Sequence, residues 1–126
     1  MKKIFALVFA LVLVFCAACG AEPAPAYTQI SQQEAKAMMD QGRVVVLDVR
    51  EQKEFDAGHI PGALLLPVGS ITQETAAALI PAQDSTVLVY CRSGNRSKTA
   101  SAALAGLGYT QVYEFGGIST WPYEVE

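Results

Sequence analysis

One heptapeptide in the 126-residue chain groups residues able to do chemistry: Cys91-Arg92-Ser93-Gly94-Asn95-Arg96-Ser97. A thiol is a nucleophile only as its thiolate, and fixed positive charge and backbone N–H groups favour that form. Arg92 and Arg96 supply the charge, and Gly94 permits the tight curvature that turns successive N–H groups toward one point. The segment therefore reads as a cysteine nucleophile in an anion-binding loop. The plainer alternative is a buried structural cysteine beside surface arginines, but core cysteines rarely stand among polar and charged loop residues.

The flanking sequence explains how such a loop is held. Thr86-Val87-Leu88-Val89 is an apolar, β-branched run that predicts a buried strand. From Ser97 the Ala- and Leu-rich stretch KTASAALAGLG predicts a helix ending at Gly106 or Gly108. Cys91 thus sits at the carboxyl end of a strand and feeds a helix N-terminus, where open α/β sheets bind ligands and where the helix dipole favours anions. Upstream, Ser31-Gln32-Gln33-Glu34 is a capping box that opens a short helix closed by Gly42. Val44 to Leu47 is a second buried strand, delivering Asp48 and Arg50 to the same sheet edge as Cys91 if the two strands are parallel. Glu51 to Ala57 is a helical turn closed by Gly58, and Ala63 to Leu66 a third strand stopped by Pro67. A helix starts near Ser70 or Thr72 and breaks at Pro81. Gln111 to Phe115 is the last strand, after which Gly116-Gly117 turns the chain toward Trp121. Strands alternating with helices predict an α/β domain with a mainly parallel sheet of about five strands flanked by helices in three layers.

The loop resembles the active-site loop of rhodanese-like sulfurtransferases: a Cys, four residues, an Arg, and a Ser or Thr. Two further stretches support the resemblance. Leu47-Asp48-Val49-Arg50-Glu51 with Glu54-Phe55 and Gly58-His59-Ile60-Pro61-Gly62-Ala63 is similar to the family's N-terminal signature. Gly116-Gly117-Ile118 with Trp121 is similar to its C-terminal one, so the likeness runs from about Tyr27 to Trp121. The resemblance implies a ping-pong reaction without a cofactor. Cys91 would take the outer sulfur of a small anionic donor, such as thiosulfate, polysulfide or a persulfide, and pass it to cyanide or a thiol. Arg92, Ser93, Gly94, Asn95, Arg96 and Ser97 would form the substrate-binding cradle. Within it Arg92 would attract the donor, Arg96 would tie the loop to nearby carboxylates or carbonyls, and Ser97 would donate to the Cys91 sulfur. Asp48, Arg50 and Glu54 read as a structural brace, with Glu54 the natural partner of Arg50. His59, the only histidine, could serve a Cys-His mechanism as a base, but its Gly-His-Ile-Pro-Gly setting reads as structural. Phe115 and Trp121 read as core or pocket wall.

Two other functions stay open. Cysteine phosphatases use a similar cradle with five residues between Cys and Arg, so a phosphatase or arsenate reductase is a rival that the shorter loop disfavours. A sulfur carrier with little turnover is the other. The remaining composition narrows the partners. Nine Lys+Arg against twelve Asp+Glu give a net charge of −3, which argues against a nucleic-acid partner. With residues 1–18 removed, one histidine and at most two cysteines, Cys19 and Cys91, offer too few N/S ligands for a zinc site.

The first residues differ in kind. Lys2 and Lys3 precede an apolar run from Ile4 to Phe15, then Cys16-Ala17-Ala18-Cys19-Gly20. Residues 1–18 predict a signal peptide, too short for a comfortable span. The stretch also resembles a lipoprotein signal with Cys19 as the lipidated residue, although Cys16 stands where that motif usually has Leu. Ordinary signal cleavage releasing a soluble domain is the alternative. Residues 19–26 would be a tether and 27–126 the domain, exported and anchored to a bacterial membrane. Removing residues 1–18 leaves 7 Lys+Arg against 12 Asp+Glu, a net −5.

Overall fold

The computed structural model describes residues 26–126. The signal peptide, the lipidation at Cys19 and nearly all of the tether lie outside the described residues. Among the described residues, five strands and four α-helices alternate: β1 (Thr28–Gln29), α1 (Gln32–Gln41), β2 (Val44–Asp48), α2 (Gln52–Ala57), β3 (Leu64–Leu65), α3 (Gln73–Leu79), β4 (Thr86–Cys91), α4 (Asn95–Gly106) and β5 (Gln111–Gly117). All strand pairs are parallel, in the order β1-β5-β4-β2-β3. The expected α/β architecture is the one observed.

The central strands are apolar throughout because both of their faces are covered, as parallel sheets require. Along β4 the side chains alternate between two cores. Val87, Val89 and Cys91 pack with Ala76 and Ile80 of the α3 region and Ala100 and Leu104 of α4. Leu88 and Tyr90 pack on the opposite face with Ala35 of α1, Ile60 and Phe115. The alternation puts the Cys91 side chain on the α4 face, beneath the N-terminus of that helix.

Several boundaries differ from the sequence-based expectation, each for a local reason. β1 was not anticipated: two exposed residues, Thr28 and Gln29, carry no apolar pattern and gain their strand geometry by pairing with Tyr113 and Glu114. β3 is shorter than Ala63–Leu66, because only Leu64 and Leu65 pair with β2 between Pro61-Gly62 and Pro67. α3 opens at the Thr72 cap, whose hydroxyl accepts from the Thr75 N–H at 3.1 Å. α4 starts at Asn95 rather than Ser97, so Arg96 and Ser97 belong to its first turn. β5 continues through Gly116-Gly117 instead of turning there, and Gly117 pairs with Cys91 across a register shift between Val89 and Cys91.

Candidate active site

Cys91 ends β4 with 1% of its surface exposed. The next three residues turn sharply into α4, and Gly94 makes the turn with φ +106°, a conformation that a side chain would strain. Its N–H then donates to Cys91 Sγ at 3.0 Å. On the helix side the Cys91 thiol donates to Ser97 Oγ at 3.4 Å. Burial pushes the Cys91 thiol up, but the backbone N–H groups of Ser97, Gly94 and Ser93, which favour the anion, outweigh it. The thiol ends below its ordinary value. Arg92, Ser93 and Asn95 face solvent on the rim.

Three sets of contacts hold the loop and the turn beside it. Arg96 grips Glu54 of α2 bidentately, Nη1 to Oε1 at 2.8 Å and Nη2 to Oε2 at 2.9 Å. Arg96 and the backbone at Glu51 hold the Glu54 carboxyl at about 2, well below its usual range. Glu54 is thus the partner of Arg96 and not of Arg50, a correction to the sequence-based pairing. The reason is geometric, since Arg50 is already committed. It reaches back to Asp48, Nε to Oδ1 at 2.9 Å and Nη2 to Oδ2 at 2.6 Å, and its Nη2 also donates to the Gly58 carbonyl at 2.7 Å. Asp48 is fully buried and Arg50 is 5% exposed. The Tyr90 hydroxyl donates to Asp48 Oδ2 at 2.8 Å and accepts from the Ile60 N–H at 3.0 Å. These bonds fix the turn after β2 against the segment at residues 58–60.

The third anchor comes from β5 and was not foreseen. Glu114, 2% exposed, accepts from Ser97 Oγ at 2.5 Å, from the Gly116 N–H at 3.0 Å and from Gln29 Nε2 at 3.1 Å. A methyl group at Gly117 would overlap the Arg92 carbonyl, so the strand approaches the loop backbone directly. The signal for Glu114 was an acid between Tyr113 and Phe115 in a strand otherwise built for burial. The signal for Gly117 was the Gly-Gly pair itself, which reads equally well as a turn.

His59 lies apart from Cys91. Its ring stacks on Phe55 with centroids 3.8 Å apart, Nδ1 is 3.0 Å from the Phe55 carbonyl, and Nε2 is 3.5 Å from Glu126 Oε2. Phe115 is core, tilted between Tyr90 and Trp121. Trp121 lines an open groove of about 800 Å³ with Met39, Ile60, Tyr123 and others, and no residue of the Cys91 loop borders it.

The geometry is matched by kinship. Residues 31–123 match the family model described as the rhodanese-like domain. The chain belongs to this family. A thiosulfate sulfurtransferase, GlpE, of Pseudomonas savastanoi pv. phaseolicola is 36% identical over 96 residues, 75% of this chain and 87% of the relative. The probable adenylyltransferase/sulfurtransferase MoeZ of Mycobacterium tuberculosis is also 36% identical, over 99 residues, and this chain spans only 25% of its length. Among solved structures, a rhodanese with anions from E. coli superimposes with a TM-score of 0.61 at 30% identity, covering 65% of this chain and 95% of that one. The rhodanese-like domain here therefore has sulfurtransferases among its relatives.

Proposed function

We propose that this rhodanese-like domain is a sulfurtransferase that carries sulfane sulfur on Cys91. The observation that carries the reading is the buried thiol at the end of β4, with the Gly94 N–H aimed at Sγ from a loop of four residues. In the first half-reaction the Cys91 thiolate attacks the outer sulfur of thiosulfate. A Cys91–S bond forms, the S–S bond of the donor breaks, and its electron pair leaves with sulfite. The negative charge passes to the outer sulfur of the Cys91 persulfide, where loop N–H groups oppose it electrostatically. In the second half-reaction cyanide or a thiolate attacks that outer sulfur and restores the Cys91 thiolate. Arg92, exposed on the rim, draws the anionic donor toward an otherwise acidic domain. Arg96 and Glu54 hold the loop, and Asp48 with Arg50 holds the neighbouring turn.

The mass of the full chain after thiosulfate treatment tests this, with Cys91→Ser alongside. Gain of one sulfur by the wild type only, lost on adding cyanide or a thiol, supports the cycle, because Cys16 and Cys19 are present in both proteins. No gain from thiosulfate or polysulfide overturns it. A persulfide that forms but does not turn over identifies a carrier. Export and lipidation at Cys19 belong to the same proposal, supported by Lys2, Lys3 and the apolar run Ile4–Phe15. Palmitate labelling in a bacterial host that is abolished by Cys19→Ser tests them, and a label that persists refutes them.

A further inference from the structure

Behind Cys91 lies a carboxylate for which the reaction above has no use. Glu114 is buried in β5, and among the described residues its partners are Ser97 Oγ, the Gly116 N–H and Gln29 Nε2, none of them a cation. Three donors and no competing acceptor suit an ionised carboxylate. Ser97 sits between this group and the sulfur, 2.5 Å from Glu114 Oε2 and 3.4 Å from Cys91 Sγ. A serine hydroxyl has one proton to give, and the shorter contact to a charged acceptor claims it.

We propose that Glu114 is a positioning residue for Cys91: it holds the single proton of Ser97, so the hydroxyl meets the sulfur with lone pairs and favours the thiol over the bare thiolate. Ser97 can help an anion on Sγ only when Glu114 releases that proton. The anionic carboxylate, no more than about 6 Å from Sγ through the hydroxyl, adds like-charge repulsion. Once sulfur is loaded, the charge moves one bond outward from Sγ and is served by the loop N–H groups. The Glu114–Ser97 pair therefore disfavours the empty thiolate more than the loaded persulfide. That last consequence rests on the sulfurtransferase reading, whereas the effect on ionisation does not. The other charged groups about Cys91 are Arg92 on the loop, Arg96 of α4 paired with Glu54 of α2, and the Asp48–Arg50 pair beside β4. β1 and α1 contribute the neutral Gln29 and Gln32.

The test is the pH dependence of Cys91 alkylation by iodoacetamide in the full chain. Reaction is read from the mass of the peptide carrying Cys91, so Cys16 and Cys19 do not contribute. In Glu114→Gln, a near-isosteric change, the midpoint is expected to fall by roughly one pH unit or more, giving about tenfold faster alkylation below the wild-type midpoint. In Ser97→Ala the midpoint is expected not to rise, and adding Glu114→Gln to that variant should shift it less than in the wild type. A purely structural role would lower the melting temperature and leave the midpoint in place. An unchanged or raised midpoint in Glu114→Gln overturns the proposal. So does a rise of about one unit in Ser97→Ala, because it would mean the hydroxyl already donates to Sγ. Should Glu114→Gln fail to fold, Ser97→Ala alone decides by the sign of its shift. Failure to load sulfur from both thiosulfate and polysulfide would refute the proposed function and leave this alkylation result standing.

Discussion

Replacing Asp48 by Asn is expected to destabilise the domain by about 3–5 kcal/mol, the range for breaking a buried ion pair by removing one partner. The carboxylate accepts four hydrogen bonds from Arg50 and one from Tyr90, between 2.6 and 3.1 Å. An amide cannot accept on both sides, and it leaves a guanidinium 5% exposed without a counter-charge. The loss exceeds the 0–1 kcal/mol of an exposed pair because neither partner can be rehydrated without unpacking residues 58–60. Tyr90→Phe provides a graded comparison. It removes one bond to Asp48 and orphans the Ile60 N–H, for about 1–3 kcal/mol. Urea unfolding followed by circular dichroism measures both variants. With an m-value near 1 kcal/mol/M for a domain this small, the Asp48→Asn midpoint should fall by roughly 3 M or the variant should be unfolded in buffer. A loss below about 1 kcal/mol would show that the pair is effectively hydrated and would refute the reasoning.

Three further outcomes follow from the same geometry. The Glu54 carboxyl is held at about 2 against an ordinary 4.5, so its contribution to stability is complete above pH 4.5 and is lost as pH falls toward 2. Discounted for partial exposure, it amounts to about 1–2 kcal/mol, and Glu54→Gln or Arg96→Met should flatten the urea-midpoint profile across that window. Gly117→Ala drives a methyl into the Arg92 carbonyl, and should cost about 1–3 kcal/mol together with at least about tenfold in sulfur loading; loading at the wild-type rate would show that the close approach does not shape the loop. Arg92→Ala should raise KM for thiosulfate by about tenfold with kcat little changed, and the difference should shrink in high salt. A fall in kcat alone would mean that Arg92 acts in the chemical step.

What the sequence revealed depended on whether a residue's neighbours in the chain are also its partners in space. The strands around Val44 and Val87 were legible because burial on both faces demands an unbroken apolar run. The cradle was legible because Cys91, Gly94 and Ser97 fall within seven consecutive residues, so short-range spacing sets their geometry. Glu114 was invisible as a site residue, because its meaning depends on Ser97, 17 positions away. The pairing of Glu54 went wrong for the same reason. Proximity in sequence favoured Arg50, but Arg50 turns back on Asp48, two residues before it, and leaves Glu54 to a helix 42 positions downstream. β1 illustrates a different limit, since two residues cannot display a period and their geometry comes wholly from β5.

Because all five strands run the same way, the molecule has two unlike ends. Two connections leaving the carboxyl edge carry a constraint, the turn after β2 pinned by Asp48 and the loop after β4 by Gly117, while Tyr90 pins the segment that leads into β3. The connections entering the amino edge, at residues 42–43, 81–85 and 107–110, carry mostly exposed side chains. Exposed positions at this end, such as Arg43 and Asp84, can carry reporter groups or surface tethers far from the thiol. The domain can therefore be immobilised or tracked by its blunt end while the reactive end stays open to small molecules.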